Sequence, residues 1–520
     1  MKAALLPGSS RATPLRDEYD LHRIVRLRPL MPAPPQIRFG TDGWRGVIAR
    51  DFTFQGVQLV AGAVAATLRA NHPEGHHLLI AVGHDTRFLS RRFAQTAANV
   101  LVALGVDTRL TTSHVPTPVL ACAIPLLTAR GGVMITASHN PPSYNGMKVR
   151  IADGGAATTT FTDRIEAEVC RLSDDRSGCA GGALPAVDRT SVGAIDLFDP
   201  LPLYRERLRT LVDMERIAHS GVHVVIDSMY GATQGIVAEL LRRIGLQVEE
   251  LHAEINPWFG GVSPEPLGAS LGELAERVRG LNRSRKIGLA FDGDGDRLGA
   301  IDETGTYVTP HQILALLLQH LVTRRGLSGT AIKTFSTTTM IDRLAASHGL
   351  RLAVTPIGFK HIAEVMRREP FLIGGEESGG IGIAGHIPER DGIVSALLLL
   401  ECLATEGKPL GVLLQELEAK VGPHCYRRLD LRLARQEDGC KLGQRVAGDP
   451  PTHIDGWRVK EAQTLDGVKL VGADGGWLLI RPSGTEPVLR LYAEAPTQGQ
   501  VARLLDWAKA YADKIQRATP

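Results

Sequence analysis

Short runs of β-branched and apolar residues recur along the chain. Each ends in a polar, glycine-containing stretch and gives way to a segment with helical apolar spacing. Three such runs are LLIAVGHDTR (Leu78 to Arg87), HVVIDSMYG (His223 to Gly231) and KIGLAFDGDGDR (Lys286 to Arg297). This alternation of strand and helix predicts α/β units with their functional loops at the carboxyl ends of strands. Helices are predicted over Ala94 to Leu104, Ala232 to Ile244, His311 to Val322 and Ile393 to Ala404, where the apolar positions recur at helical spacing. Gly132 to Ile135 reads as the end of a further strand and opens onto TASHNPPSYNGMK, Thr136 to Lys148.

The last segment is patterned differently. CYRRLDLRL (Cys425 to Leu433) reads as a strand, GWLLIRPSGTEPVLRLYAE (Gly476 to Glu494) as strand, loop and strand, and Gln498 to Arg517 as a closing amphipathic helix. A smaller α+β unit, a candidate lid or clamp, is expected there. Gly- and Asp-rich seams at Asp174 to Asp188, Asp302 to Gly305 and Glu406 to Gly422 divide the chain into 36–190, 191–305, 306–419 and 420–520. No repeat of solenoid period is visible.

Composition narrows the class. The chain has 520 residues, 43% hydrophobic and 22% charged, which suits several domains with ordinary cores. With 59 basic residues against 56 acidic the net charge is only +3, and no basic run interleaved with aromatics appears, so a nucleic-acid partner is not expected. Six cysteines without C-x-x-C spacing predict free thiols and a cytoplasmic location. Ile313 to Leu318 and Ala396 to Leu400, the longest apolar stretches, fall well short of the ~20 residues of a membrane helix, so no membrane partner is expected. Residues 1–35 carry Asp17, Glu18 and Asp20 and no continuous apolar segment, so a poorly ordered extension is expected rather than a cleaved secretory leader.

Four loops carry candidate chemistry. DGDGDR, Asp292 to Arg297, spaces three carboxylates two residues apart between strand-like flanks, so they can converge on one hard divalent cation. Asp292, Asp294, Asp296 and Glu303 match an EF-hand at loop positions one, three, five and twelve, but Arg297 stands where the glycine at six is needed and the flanks are not helices. RPSGTEPVLR, Arg481 to Arg490, offers guanidinium forks with Ser483, Gly484 and Thr485 as hydroxyl and backbone donors, the makings of an anion nest rather than a Walker loop. By itself such a basic Ser/Gly turn is more often an ordinary surface loop.

GGEESGG, Gly374 to Gly380, sets Glu376, Glu377 and Ser378 among glycines and suits sugar hydroxyls. Adjacent glutamates do not make the facing pair of a glycosidase, and alone the stretch is equally a solvated turn. In TASHNPPSYNGMK, Ser138 is a candidate nucleophile outside any G-x-S-x-G elbow, His139 alone is more often a structural histidine, and Pro141 and Pro142 stiffen the loop. Taken together, a serine, a cation site, a phosphate grip and a polyol grip are what phosphoryl transfer to a sugar requires.

At these residues the chain resembles the α-D-phosphohexomutases, the phosphoglucomutases and phosphomannomutases. TASHNP, DGDGDR, GEESGG and RPSGTEP stand in that family's order, FGTDGWRG (Phe39 to Gly46) resembles its N-terminal signature, and the likeness spans roughly 36 to 520. It implies a four-domain architecture around a central cleft: three related α/β domains and a C-terminal α+β phosphate-binding domain. It implies that Ser138 is carried as a phosphoserine and, with Asp292, Asp294 and Asp296, holds one Mg²⁺ per active site. The reaction implied is interconversion of hexose 1- and 6-phosphates through a hexose 1,6-bisphosphate that is both intermediate and activator.

Matched motif by motif, Arg45, Lys148 and His139 are expected to manage the proton and developing charge near Ser138. A lysine acting as base would need a lowered pKa. Glu376 and Ser378 are expected on the sugar O3 and O4, and Arg481, Ser483, Gly484, Thr485 and Arg490 on the phosphate not in transfer. Lys360 is expected at sugar or phosphate, and Arg297 as a steady for the acidic loop. GEESGG with HIPERDG (His386 to Gly392) resembles phosphoglucomutases more than the GEMSGH form of dual-specificity members, so glucose phosphate is the expected substrate. The alternatives are phosphomannomutase or dual specificity, and a glucose 1,6-bisphosphate synthase on the same fold. The protein is expected as a monomer or homodimer.

Overall fold

The computed structural model of the chain describes residues 37–71, 78–177, 193–433, 435–483 and 487–518. The extension expected over 1–35, Cys179 and the seam near 190 lie outside these residues. So do Gly484 and Thr485 of the expected phosphate loop.

Among the described residues four sheets follow one another. In the first, the strands run in the order Trp44–Val47, Tyr144–Ile151, Gly131–Ile135, Leu79–His84, Asp107–Thr111, Ile195–Phe198. The second is ordered Tyr307–Val308, Leu298–Ile301, Lys286–Phe291, His223–Asp227, Val248–Leu251. The third is ordered Leu352–Thr355, Thr330–Thr334, Phe371–Gly375, Ile381–Ile383. All three are mixed, with parallel interior pairs and antiparallel pairs toward one edge. The fourth, from Cys425–Arg432 to His453–Ile454, is antiparallel throughout.

The same local device recurs in the first three sheets. A buried strand (GGVMI, KIGLAF, FLIGG) pairs in parallel on one side, turns through a polar loop, and returns as an antiparallel neighbour. Continuous apolar runs suit strands covered on both faces. The three loops so formed, 136–143, 292–297 and 376–380, are the serine, aspartate and glutamate loops singled out in the sequence.

The predicted helices form with small shifts at their ends. Pro310–Thr323 starts at a capping box between Thr309 and Gln312, with Pro310 at the first turn. Gly392–Glu406 is capped by the Asp391 side chain on the Val394 amide (2.9 Å) and stops at Gly407, whose φ is 67°. The helix expected from Ala232 starts later, at Ile236, because Gly235 takes φ 72° and breaks the first turn.

One apolar core runs through the first three units. It joins Val119 and Leu120, Tyr204 and Leu208, Ile313 to Leu318, and Leu397 to Leu400 from four helices. The C-terminal unit has its own core between its sheet and the helices Gln436–Gly448 and Gln498–Ala518. It meets the third unit through a small cluster of Phe335, Trp477, Leu479 and Tyr492. At that junction the Glu494 carboxylate accepts from the Thr339 amide (2.9 Å), the Thr339 hydroxyl (2.7 Å) and the Trp477 indole (3.1 Å). The Lys469 ammonium donates to the Phe335 carbonyl (2.9 Å) and lies 4.0 Å from the Trp477 ring centroid. Among the described residues no helix is long and apolar enough to cross a membrane.

Burial and the nearby Lys333 pull Lys469 down to about 7, against Glu494 and Asp342. The unfolded chain therefore binds this proton up to the ordinary lysine value while the folded chain has released it, so folding gains stability as pH rises across that window. Denaturant unfolding of the wild type should strengthen relative to Lys469→Met by on the order of 2 kcal/mol between pH 7 and 9.5. A pH-independent difference between the two would show that the junction lysine is not charged at a cost.

Candidate active site

Ser138 sits at the first turn of its loop with φ 51°, a left-handed conformation uncommon for a residue with a side chain. Its amide donates to Thr136 Oγ1 (2.9 Å) and its hydroxyl donates to Asp292 Oδ2 (2.6 Å), although 154 residues separate the two. The aspartate loop approaches from the other side so closely that a Cβ on Gly293 would stand 2.5 Å from the Ser138 carbonyl oxygen. Gly295, with φ 73°, then reverses the chain.

Asp292 Oδ1 accepts from the amides of Asp296 (3.0 Å) and Arg297 (3.1 Å), which curls the loop inward. Carboxylate oxygens of Asp292, Asp294 and Asp296 lie within 4.8 Å of one another, and all three residues are fully buried. Burial and the neighbouring Asp296 and Asp294 carboxylates hold Asp292 well above the usual carboxylate range, against Arg297 and the Ser138 hydroxyl. Asp294 Oδ1 and Asp296 Oδ1 have no hydrogen-bond partner despite that burial. Unsatisfied buried carboxylate oxygens, all-oxygen donors and a serine oxygen alongside fit a hard divalent cation such as Mg²⁺.

The cations around this cluster come from distant parts of the chain. Lys148, on the strand that returns from the serine loop, places its ammonium 2.8 Å from Asp42, 2.7 Å from Asp294 and 2.6 Å from Asp296. Burial acts to lower its pKa, but Asp294, Asp296 and Asp42 outweigh it and raise the group above the ordinary lysine value. Beside these three carboxylates Lys148 is held in its charged form. His139 behaves in the reverse way. Burial first, then Arg297, Arg45, Lys148 and Arg87, hold the imidazole well below its ordinary value, and its buried Nδ1 has no partner. Arg45 reaches over the same loop to donate to Asn140 Oδ1 (2.7 Å).

The glutamate loop is joined to the aspartate loop. The Leu298 amide donates to the Gly379 carbonyl (3.2 Å), and Arg297 bridges Gly380 across the strands. Glu376 is buried and pushed up to about 7 by that burial, with Arg390 Nη1 3.3 Å away opposing the shift. Glu377 accepts from the Ser336 hydroxyl (2.7 Å), and Ser378 is half-buried. Lys360 is half-buried in the first turn of Phe359–Arg368. Arg297 also contacts Glu265 (3.2 Å), which ties the acidic loop to the segment before it.

In the C-terminal sheet, Arg481 and Arg490 stand directly opposite each other on paired strands. Like charges in that position repel, and here the flanking Asp466 (2.8 Å from Arg481) and Asp430 (3.9 Å from Arg490) offset them. A pair of such forks has the donor geometry to take an anion. Ser483 is buried at its end, its amide donating to the Val488 carbonyl (2.8 Å).

Several side chains that complete the site were not legible in the sequence. Arg390 touches Asp42, Asp296 (2.8 Å), Glu376 and Glu389, and so links the aspartate and glutamate loops to the N-terminal stretch. Arg150 pairs with Asp42 and Glu389, both at 2.9 Å. Thr117, at the start of a helix, donates its hydroxyl to Asp294 Oδ2 and its amide to the Asp294 carbonyl (2.8 Å). Arg87 lies beneath the serine loop, its guanidinium within hydrogen-bond reach of the Ser138 carbonyl. Asp42, Arg87, Glu389 and Arg390 all lie within stretches that read as signature, strand end or substrate loop, and their spacing carried no hint of a shared contact.

Comparison with known proteins places this architecture. Profiles described as phosphoglucomutase/phosphomannomutase alpha/beta/alpha domains I, II and III match residues 36–175, 202–305 and 309–421, and one described as the C-terminal domain matches 444–508. The chain is 31% identical to a phosphoglucosamine mutase of Bacillus cytotoxicus over 91% of this chain and 98% of that one. It is 28% identical to a phosphoglucomutase/phosphomannomutase of Thermococcus kodakarensis over 90% and 96%. Among solved structures, a Thermus thermophilus chain provisionally assigned as a phosphomannomutase superposes with a TM-score of 0.80 at 36% identity, covering 92% of this chain and 99% of that one. Four domain matches in chain order, together with this identity over nine-tenths of the length, show that the chain belongs to the phosphoglucomutase/phosphomannomutase family, the α-D-phosphohexomutases.

Proposed function

We propose that the protein is a phosphoglucomutase that interconverts glucose 1-phosphate and glucose 6-phosphate through a phosphoserine at Ser138 and a glucose 1,6-bisphosphate intermediate. The observation that carries this reading is the Ser138 hydroxyl 2.6 Å from Asp292, at the edge of three buried carboxylates of which Asp294 and Asp296 each keep an unpartnered oxygen. Asp292, Asp294, Asp296 and the serine oxygen would hold Mg²⁺. Bound there, it supplies positive charge against the phosphoryl oxygens and the three carboxylates.

The remaining chemistry belongs to side chains. The free sugar hydroxyl attacks the phosphorus of phosphoserine 138 in line. The bond from phosphorus to the serine oxygen breaks as the bond to the sugar oxygen forms, and the hydroxyl proton is relayed through the neutral His139 ring to the departing Ser138 oxygen. The regenerated Ser138 hydroxyl is received by Asp292. Lys148 and Arg45 stay charged and offset the negative charge spread over the transferring group. Glu376 and Ser378 hold the sugar hydroxyls, with Lys360 at the rim. The Arg481 and Arg490 forks, with Ser483, Gly484 and Thr485, hold the other phosphate. The bisphosphate then turns by about half a revolution and returns its second phosphate to Ser138, so one serine and one cation site serve both half-reactions.

A neutral sugar suits the glutamate loop better than one bearing an ammonium at C2. Glu376 already has Arg390 at 3.3 Å and Arg297 as a second cationic neighbour, and Glu377 is engaged by Ser336. The names of several relatives favour a second reading, phosphoglucosamine mutase, and phosphomannomutase differs only in the C2 configuration.

A coupled assay on glucose 1-phosphate, mannose 1-phosphate and glucosamine 1-phosphate should give the largest kcat/KM with glucose, and Ser138→Ala should lose about 1,000-fold or more in kcat. A larger value for glucosamine or mannose phosphate would move the substrate assignment, while undiminished turnover by Ser138→Ala would remove the mechanism. Asp294→Asn should raise the Mg²⁺ concentration for half-maximal activity on the order of 10- to 100-fold. An unchanged Mg²⁺ requirement would take Asp294 out of the cation site.

A further inference from the structure

The strand Leu79–His84 ends in a tight turn in which Asp85 Oδ1 accepts from the Arg87 amide (2.9 Å) and the Ser90 hydroxyl (2.6 Å). The turn throws the Arg87 side chain, fully buried, under the serine loop. There both terminal nitrogens of its guanidinium are spent on backbone carbonyls. Nη1 donates to Pro141 (2.9 Å) and Tyr144 (3.0 Å), Nη2 donates to Ser138 (2.5 Å) and Asn140 (2.6 Å), and Nε faces Asp85 (3.3 Å). One planar group thus fixes four peptide units between residues 138 and 144, among them the one in the left-handed conformation.

The face of the same guanidinium is also engaged. It lies 4.9 Å from the ring centroid of Phe259, a fully buried residue of the second unit. Phe259 opens the segment that steadies the aspartate loop, since the Pro264 carbonyl accepts from the Gly293 amide (3.2 Å) and Glu265 pairs with Arg297. Edge and face together connect the two loops whose separation sets the reaction geometry. Their contact leaves no slack, as the position of Gly293 against the Ser138 carbonyl shows.

We propose that Arg87 is a positioning residue for phosphoryl transfer: through the Ser138 to Tyr144 carbonyls and the Phe259 ring it fixes the serine oxygen in register with Asp292, Asp294 and Asp296. It touches neither substrate nor the reacting atoms and acts through Ser138. The inference rests on the phosphoserine reading above. A displacement of about 1 Å in a near-attack geometry costs on the order of 100-fold in rate, whereas the sugar and phosphate grips lie on other loops. Loss of Arg87 should therefore appear in kcat and not in KM. A lysine keeps the charge but offers a compact ammonium in place of a planar fork, so it cannot satisfy four spread carbonyls.

The test uses the full-length protein as wild type, Arg87→Lys and Phe259→Leu, each preincubated with glucose 1,6-bisphosphate. Phosphoserine content, steady-state kinetics and single-turnover transfer to glucose 6-phosphate are measured on each. Arg87→Lys should still carry phosphate on Ser138 but transfer it about 100-fold more slowly, with KM within threefold of wild type. Phe259→Leu, which keeps most of the buried volume, should lose about tenfold in kcat, again at constant KM, and decides the matter if Arg87→Lys does not fold. A kcat within threefold of wild type in the folded variants, or a fall in kcat matched by a proportionate rise in KM, would overturn the inference. Absence of phosphoserine from the wild type itself would instead overturn the reading on which it rests.

Discussion

Three carboxylates stripped of solvent and set two residues apart cannot stand together unless opposite charge meets them where they stand. Asp292, Asp294 and Asp296 impose that constraint, and much of the site follows from it. Lys148 is drawn between them, Arg390 and Arg150 extend the alternation to Asp42, Glu376 and Glu389, and Asp292 settles against the Ser138 hydroxyl. Because the compensating charges come from the first and third units as well as the second, the electrostatics of the aspartate loop hold the three units in one arrangement. A buried network of this kind contributes little net stability compared with apolar packing, but removing one member leaves another unpaired, which is a strong specifier of geometry.

The sheets present these charges in a repeated way. Ser138, the aspartates and Glu376 each lie in the connection between a buried strand and its antiparallel return, at the carboxyl end where a parallel neighbour stops. Arg481 and Arg490 instead stand opposite each other on two antiparallel strands of a sheet with its own core. The first three units share a core and rigidly index their loops to one another, whereas the fourth meets them through Phe335, Trp477, Leu479, Tyr492 and the polar contacts of Glu494 and Lys469. That division suits a fixed reacting centre and a separately attached grip on the far phosphate.

Local features were legible in the sequence because local rules govern them. The apolar runs gave the strands, helical spacing gave Pro310–Thr323 and Gly392–Glu406, and the alternate aspartates with glycines marked a cation site before any fold was known. Contacts across long separations were not. Arg390 meets Asp42 over 348 residues, Arg87 meets the Ser138 carbonyl over 51, and no periodicity records such pairings. The charge state of Lys148 was inaccessible for the same reason: its setting is made by Asp42, Asp294 and Asp296, brought in by two other stretches of chain, and they raise its pKa where a base would need it lowered. His139, which read alone is more often a structural histidine, is driven toward its neutral form first by its burial and then by the cations of four separate segments around it.

The account turns on Ser138 as a phosphate carrier whose charge the aspartate cluster accommodates through a cation. Its most direct test is a single turnover: the protein labelled with radioactive phosphate on Ser138, freed of excess label, and mixed with unlabelled glucose 6-phosphate with and without Mg²⁺. The account predicts rapid, Mg²⁺-dependent appearance of the label in glucose 1,6-bisphosphate, with loss of label from Ser138 in step. Label that stays on the protein, or leaves only as inorganic phosphate, would contradict it.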